Sequence, residues 1–255
     1  MFYSQHHYHK GSIYCMSWWG DTLLASGSND QTIRLLSYDP TSQIAACTPL
    51  GQMKIHKGTI RDLVFMPNGL LISGGVGDNI IKVSNPSTGQ IVNTLFGHYS
   101  QIHGLYVVKE NIIASASQDK TVKLWDLRMG QSYATIKLPH SVASVAANTY
   151  TNQIASALLD GACAVHDLNT LKHISTYNAH SDECRTVRYS SSAGPSPWLL
   201  TGSYDGTICV ADTKTFEWQQ IAQHTDKVVQ CRWHMQSMFA STGADNRACF
   251  WRLDI

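Results

Sequence analysis

The sequence is poor in charged residues: only 15% of its 255 residues are Asp, Glu, Lys or Arg, against about 25% in ordinary soluble domains. Hydrophobic residues make up 43%, which is too many for a disordered chain. The 19 Lys and Arg nearly balance the 18 Asp and Glu. A nucleic-acid-binding surface needs clustered basic residues to neutralise phosphates, and the sequence has no such cluster. We therefore predict a folded protein without a nucleic-acid partner.

Long apolar runs are also missing, since none approaches the ~20 residues that a membrane-spanning helix requires. The first residues, MFYSQHHYHK, lack the charged-then-apolar order of a signal peptide. The seven cysteines are odd in number, scattered and without a CxxC pair, so neither a disulfide framework nor a zinc site is indicated. We expect a soluble, unsecreted protein of the reducing cytoplasm, with no membrane partner and no cofactor.

The sequence does contain a repeat. A histidine before an apolar stretch recurs every 40 to 47 residues, and an aspartate follows each histidine after 20 to 25 residues. The histidines are His9, His56, His98, His140, His180 and His224, and the aspartates are Asp30, Asp78, Asp119, Asp160, Asp205 and Asp245. The pattern predicts six repeats in a single domain over residues 1–255. The repeats lie near residues 9–37, 56–85, 98–126, 140–167, 180–212 and 224–252.

Each repeat has the pattern of short strands. The segments LLAS, LLIS, IIAS, QIAS, WLLT and MFAS begin at residues 23, 70, 112, 153, 198 and 238 and read as buried strands. A turn rich in Gly, Asn or Asp follows each one, and then a branched run such as TIRLL or TVKLW, as in a hairpin. Because units of this size bury their faces only by stacking, the sequence predicts an all-β propeller.

The third repeat resembles a complete WD repeat. It reads FGHYSQIHGLY…IIASASQDKTVKLWDLR, with Gly97-His98 at its start and Trp125-Asp126 at its end. The sixth keeps Trp251 but has Arg252 in place of the final aspartate. The other repeats are degenerate at the Trp position, where they carry Leu36, Ser84, His166 and Ala211.

The resemblance implies a hydrogen-bond relay that joins a Trp of the third strand, a Ser or Thr of the second, the repeat histidine and the turn aspartate. Two repeats hold all four residues: His98, Ser115, Asp119 and Trp125 in the third, and His224, Ser241, Asp245 and Trp251 in the sixth. In the second repeat the expected hydroxyl is Ser73, five rather than four residues before Asp78. Each such bond is worth about 1 kcal/mol.

In WD-repeat proteins a strand before the first repeat completes the last blade, and Phe2 to Tyr8 are predicted to do so here in a six-bladed ring. The stretches HHYHKGSIYCMSW, LLTGSYDGTICVADT and DKVVQCRWHMQ are similar to the C-terminal propeller of the nemitin family, which are neuronal microtubule-associated WD-repeat proteins. That propeller has seven repeats, so a seven-bladed member lacking its first repeat is the alternative. The family's LisH and CTLH region, expected to drive self-association, is absent from this sequence, and we therefore expect a monomer.

Catalysis and metal binding are the two chemical readings that the histidines allow. His98, Ser115 and Asp119 form a possible hydrolytic triad, but the same three residue types recur at structural spacing, whereas a catalytic site occurs once. His6, His7 and His9 suggest a metal site, yet no carboxylate or thiolate accompanies them. We predict neither an enzyme nor a metal site, and a hydrolase is the disfavoured alternative.

The predicted binding face comes from strand alternation. The residues four after the histidine should point inward: Ile13, Ile60, Ile102, Cys184 and Val228. Their neighbours, together with the residues before the turn aspartates, then form a mildly basic aromatic face suited to an acidic peptide or protein surface. Its proposed contacts are Tyr14, Arg61, His103, Arg185, Tyr204 and Lys227.

Together these features predict a protein-protein interaction scaffold. The resemblance to the nemitin family implies a link to microtubules, with tubulin or microtubule-associated proteins as partners and a cytoskeletal location within the cytoplasm. The segment IIASASQDKTVKLWDLR also resembles the box with which WD-repeat substrate receptors dock on a cullin ligase adaptor, with Arg128 as the key charge. A ligase substrate receptor is therefore the alternative function.

Overall fold

The computed structural model describes residues 8–39, 41, 47–190, 198–235 and 237–253. Their strands form six antiparallel sheets, each made of strands that are consecutive in the chain. Within these ranges no helix is long and apolar enough to cross a membrane. The predicted all-β architecture of WD-type blades is confirmed, with six sheets for the six repeats.

The chain divides into two compact units, of which the first comprises Met1–Asp119 and Lys123–Thr135. It holds blades 1 to 3, apart from a few residues in the outer strands of blade 3. Blade 1 has β1 (Ile13–Trp19), β2 (Leu23–Ser28), β3 (Ile33–Tyr38) and β4 (Cys47–Met53). Blade 2 has β5 (Ile60–Phe65), β6 (Leu71–Gly75), β7 (Ile81–Asn85) and β8 (Gln90–Leu95). Blade 3 has β9 (Ile102–Lys109), β10 (Ile112–Ser117), β11 (Thr121–Asp126) and β12 (Gln131–Lys137).

The second unit comprises Lys120–Val122 and Ile136–Ile255 and holds blades 4 to 6. Blade 4 has β13 (Val142–Asn148), β14 (Gln153–Leu158), β15 (Cys163–Asp167) and β16 (His173–Tyr177). Blade 5 has β17 (Cys184–Tyr189), β18 (Trp198–Ser203), β19 (Thr207–Asp212) and β20 (Trp218–Gln223). Blade 6 has β21 (Val228–Met235), β22 (Met238–Gly243) and β23 (Ala248–Arg252), a three-stranded sheet within the described residues.

The short apolar segments of the repeats form the second strand of every blade, as predicted. All six residues of β10 are buried, and so are all six of β14. Strands covered on both faces read as nearly continuous runs of small and apolar residues. This position explains why the segments lack the alternation of half-exposed strands.

Neighbouring blades within a unit pack an aliphatic residue of one inner strand against a small residue of the preceding blade. A Cβ atom added to Gly27 would lie 2.6 Å from Ile60 Cγ2, and one added to Gly202 would lie 2.8 Å from Val228 Cγ1. Only glycine permits this approach in a close-packed core. Ile60 and Val228 thus join the apolar clusters that hold blade 2 to blade 1 and blade 6 to blade 5.

Side-chain hydrogen bonds reinforce these contacts at residues that the sequence analysis did not single out. Within the first unit, Leu105 N donates to Asp62 Oδ2 at 2.8 Å, from blade 3 to blade 2. Within the second, the Arg188 guanidinium donates to Ser144 Oγ at 2.8 Å, from blade 5 to blade 4. These residues fall at variable positions of the repeat, so no repeat pattern marks them in the sequence.

Strand alternation predicted which residues of the first strands point inward. Four of the five residues expected to point inward are fully buried, namely Ile60, Ile102, Cys184 and Val228, but Ile13 is 52% exposed. Ile13 occupies the same place in blade 1 as Ile60 does in blade 2, and no other blade of its unit packs on that side. The predicted closing strand, Phe2 to Tyr8, lies outside the described residues except for Tyr8, whose hydroxyl donates to the Cys47 carbonyl at 2.6 Å.

Candidate functional site

Blades 3 and 6 contain the complete four-residue relay. In blade 3, Trp125 Nε1 donates to Ser115 Oγ at 2.8 Å. Ser115 Oγ lies 2.6 Å from His98 Nε2, and His98 Nδ1 lies 2.7 Å from Asp119 Oδ2. With the carboxylate ionised, the imidazole donates from Nδ1 and accepts the seryl proton at Nε2.

The relay of blade 6 has the same geometry. Trp251 Nε1 donates to Ser241 Oγ at 2.7 Å, and Ser241 Oγ lies 2.7 Å from His224 Nε2. His224 Nδ1 lies 2.9 Å from Asp245 Oδ2. In both blades the relay hydrogen bonds therefore connect the turn, the second strand and the third strand to the histidine.

Blades 1, 2 and 5 hold partial relays that lack the tryptophan. In blade 1, His9 lies 2.7 Å from Ser26 Oγ and 3.0 Å from Asp30 Oδ2. In blade 2, His56 Nε2 lies 2.8 Å from Ser73 Oγ, which confirms the hydroxyl expected one residue further from its aspartate. In blade 5, threonines serve instead, because His180 contacts Thr201 Oγ1 at 2.9 Å and Thr207 Oγ1 at 2.8 Å.

Blade 4 has lost the relay. The His140 side chain is 54% exposed, and its Nε2 lies 3.3 Å from Asp160 Oδ2. The hydroxyl of Ser156 and Nδ1 of His166 are buried and have no hydrogen-bond partner. Burial lowers the pKa of His166, and the neighbouring His173 lowers it further, so His166 is held neutral.

Four turn aspartates have pKa values below the usual range, namely Asp30, Asp78, Asp205 and Asp245. Burial alone would raise the pKa of Asp78, but the hydrogen bond and charge of His56 and the charge of Lys82 hold it below its usual range. The pKa of Asp245 is lowered in the same way, since bonds from His224 and from two backbone N–H groups outweigh desolvation. For His180 desolvation dominates and lowers its pKa, although Asp205 opposes this effect.

The geometry of the relay residues fits a structural role better than a hydrolytic one. Ser115 is fully buried, and its oxygen is occupied by both Trp125 and His98. A nucleophile must be reached by its substrate. Of the three histidines weighed as metal ligands, His6 and His7 lie outside the described residues, and both ring nitrogens of His9 face relay partners. Across the described ranges no cluster of three metal-ligating side chains occurs.

In the first unit, two residues of the predicted binding face make direct contact. The Arg61 guanidinium carbon lies 4.4 Å from the centre of the Tyr14 ring, which is a cation–π geometry. Tyr14 is 40% exposed, and the buried Arg61 Nε has no hydrogen-bond partner. His103 takes the equivalent place in β9, where it is half-buried. We call Tyr14 and Arg61 the Tyr14–Arg61 pair.

In the second unit, the other three predicted residues meet around one aromatic ring. Arg185 Cζ lies 5.0 Å and Lys227 Nζ 4.7 Å from the centre of the Tyr204 ring. We call these three residues the Tyr204 cluster. Glu183 Oε2 lies 3.4 Å from Arg185 Nη1, so this cluster is less basic than predicted. Strand alternation could have predicted that Glu183 lies on the same face as Arg185, because residues two apart on an extended strand share a face.

Arg128, the proposed ligase-adaptor contact, is exposed and anchored. Its side chain is 70% exposed, and its Nε donates to Asp126 Oδ1 at 2.9 Å. The hydrogen bonds from Arg128 lower the pKa of Asp126 to about 2. The orientation of the Arg128 guanidinium is therefore fixed by Asp126, the last residue of β11.

Comparison with known repeats decides the family. The signature described as "WD domain, G-beta repeat" matches residues 2–37, 47–84, 89–126 and 171–212, together more than half of the chain. The chain belongs to the WD-repeat family. This WD-repeat chain is accordingly of the scaffold type. Its six sheets and its relays are structural features of WD repeats.

Several characterised WD-repeat proteins are similar over most of this chain. Protein tipD of Dictyostelium discoideum is 26% identical over 95% of the chain and 47% of its own length. The ribosome biogenesis protein WDR12 homolog of Anopheles gambiae is 26% identical over 88% of the chain and 57% of its own length. Autophagy-related protein 16 of Arabidopsis thaliana is 25% identical over 76% of the chain and 37% of its own length. The chain thus spans about half the length of these relatives, and none of the three is named for microtubules.

Proposed function

We propose that this WD-repeat chain is a non-enzymatic scaffold that binds acidic segments of other proteins at two places, the Tyr14–Arg61 pair of the first unit and the Tyr204 cluster of the second. The observation that carries the proposal is the set of three cation–π contacts among five of the six residues predicted for this face. Names of relatives refer to ribosome biogenesis and autophagy, processes in which a scaffold role is reasonable.

The contacts favour binding because they order long side chains in advance. A free Arg or Lys side chain loses up to ~2 kcal/mol of rotamer entropy when a partner immobilises it. Stacking on Tyr14 or Tyr204 removes part of that loss before binding. Tyrosine and arginine are also the residues that most often dominate binding energy at interfaces.

Charge gives the face its preference for acidic partners, although a modest one. Arg61, Arg185 and Lys227 are positive, and Glu183 offsets Arg185 at 3.4 Å. We therefore expect aromatic contact to supply affinity, with charge supplying orientation and selectivity. Binding should weaken with added salt, but only partly.

The test uses a fluorescent glutamate-rich peptide titrated with the protein and followed by anisotropy. We expect Arg61→Glu and Arg185→Glu each to weaken binding at its own place roughly tenfold or more, and thermal unfolding of each variant checks that it folds. Lys137→Glu is the matched control, since it makes the same charge change at an exposed position of β12. Equal affinity of the parent and both variants, or an equal loss in the control, would show that this face does not bind.

A microtubule link is the finer form of this proposal, and it depends on the resemblance to the nemitin family. Co-sedimentation with purified microtubules tests it directly. Retention of the parent protein in the pellet, reduced for Arg61→Glu and Arg185→Glu but not for Lys137→Glu, would support both the link and the face. A cytoplasmic location remains a prediction that imaging of a tagged chain would check.

A ligase-receptor role is the second candidate, favoured by the exposed and anchored guanidinium of Arg128. Such a role requires Arg128→Ala to abolish capture of a cullin ligase adaptor and to leave the acidic peptide bound. The two functions use different residues, so the same protein samples distinguish them.

A further inference from the structure

The two binding places differ in the residue that stands two positions before each arginine. Glu183 precedes Arg185 in the second unit, and Thr59 precedes Arg61 in the first. Both arginines lie at a register shift between the first and second strands of their blades. The two places therefore match in the backbone and differ by one negative charge.

Backbone hydrogen bonds give Glu183 and Thr59 equivalent positions. The Glu183 carbonyl accepts a hydrogen bond from Tyr204 N at 3.0 Å, and the Thr59 carbonyl accepts one from Val76 N at 2.8 Å. In each blade this bond joins the start of the first strand to the turn after the second. The fold itself therefore places Glu183 next to Tyr204.

In the second unit Glu183 occupies the arginine that a carboxylate of a partner would bind. Glu183 Oε2 lies 3.4 Å from Arg185 Nη1, and the two side chains are only 35% and 20% exposed. A bound carboxylate must displace this contact and leaves Glu183 without its cation. Exchanging one carboxylate for another gains little free energy, so Glu183 competes with acidic ligands for Arg185.

Other charges near the two places differ in the same sense. Two exposed aspartates adjoin Glu183 and Lys227 in the chain, namely Asp182 and Asp226. Two exposed lysines stand four residues before the members of the Tyr14–Arg61 pair, namely Lys10 and Lys57. A purely acidic segment thus meets further positive charge at the first place and further negative charge at the second.

We propose that Glu183 makes the Tyr204 cluster select mixed-charge segments, in which a lysine or arginine accompanies the carboxylate, whereas the Tyr14–Arg61 pair selects purely acidic segments. The carboxylate of a mixed-charge segment binds Arg185, and its basic residue pairs with Glu183, so neither charge of the internal pair loses its partner. This inference rests on the proposed function and refines the ligand class at one of its two places.

Anisotropy titrations with two labelled peptides test the proposal in an Arg61→Glu background, where the Tyr204 cluster is the intact place. One peptide is rich in glutamate, and the other alternates glutamate with lysine. We expect the parent background to bind the alternating peptide more tightly. Glu183→Gln should tighten the glutamate-rich peptide roughly two- to fivefold and weaken the alternating one, so that the preference inverts.

Asp182→Asn is the matched control for Glu183→Gln. It removes the same charge from the adjacent exposed residue, whose carboxylate accepts a hydrogen bond from Glu183 N at 2.7 Å. The control should leave the peptide preference in its original order. An unchanged preference in Glu183→Gln, or equal effects of the two variants, would overturn the role of Glu183.

The converse change tests the first place in an Arg185→Glu background. Thr59→Glu installs a carboxylate two residues before Arg61 and should weaken the glutamate-rich peptide roughly two- to fivefold, with thermal unfolding as the check that each variant folds. Unchanged binding there would overturn the equivalence of Thr59 and Glu183. A different result tests the proposed function itself: if Arg61→Glu combined with Arg185→Glu bound the glutamate-rich peptide like the parent chain, the binding face would be wrong, whatever Glu183 does.

Discussion

Blades 3 and 4 follow one another in the chain and show opposite ways of stabilising the same sheet. In blade 3 the buried Trp125 and Ser115 connect to His98 and Asp119 through three hydrogen bonds. In blade 4 the histidine is exposed and the buried Ser156 hydroxyl is unpaired. Nevertheless blade 4 forms four antiparallel strands in the order of the other complete blades.

Strand pairing and packing therefore determine the blade, whereas the relay adds local stability. Blade 4 fills its interior with small and branched aliphatic residues, all of them fully buried, namely Val145, Ala146, Ile154, Ala155 and Ala157. These side chains fill the interior of the blade without a tryptophan. A blade can therefore lose its relay and keep its register, provided that its core stays close-packed.

The largest effect should come from removing the tryptophan of blade 3. Trp125→Ala deletes a fully buried ring and leaves Ser115 short of one donor. Large-to-small changes of this kind cost about 3–5 kcal/mol, and urea unfolding would measure the loss. The half-buried Trp251 is the control, since Trp251→Ala should cost clearly less. Equal losses at the two sites would mean that burial does not control the contribution of the tryptophan.

A smaller and more specific effect distinguishes the two second-strand serines. Ser115→Ala breaks bonds to both Trp125 and His98 and leaves their buried groups unsatisfied, at a cost of about 1–3 kcal/mol. Ser156→Ala removes a buried hydroxyl that has no partner, so we expect no loss and up to ~1 kcal/mol of gain. Both serines are fully buried, which makes the pair a matched comparison in the same denaturation assay. A destabilised Ser156→Ala would contradict the unpaired state of that hydroxyl.

Much of this contrast was accessible from the sequence, because relay chemistry requires particular residues at fixed spacing. The resemblance to WD repeats predicted Ser73 as the hydroxyl of blade 2, although Ser73 lies five rather than four residues before Asp78. The exposure of Ile13 was not predictable, since burial of an inner-strand residue depends on which blade packs against it. The cation–π contacts of Tyr14 with Arg61 and of Tyr204 with Lys227 likewise depend on side-chain placement between neighbouring blades.

The smallest effect is expected at His140. His140 contacts Asp160 at 3.3 Å, but 54% of its side chain and 32% of that of Asp160 are exposed. An exposed pair of this kind contributes between about 0 and 1 kcal/mol, so His140→Ala should change the free energy of unfolding by no more than about 0.5 kcal/mol. His98→Ala, made in parallel, removes a buried imidazole bound at both nitrogens and should cost several times more. If the two variants lost equal stability, the histidine of blade 4 would be acting in a relay despite its exposure, and packing alone would not explain how that blade keeps its register.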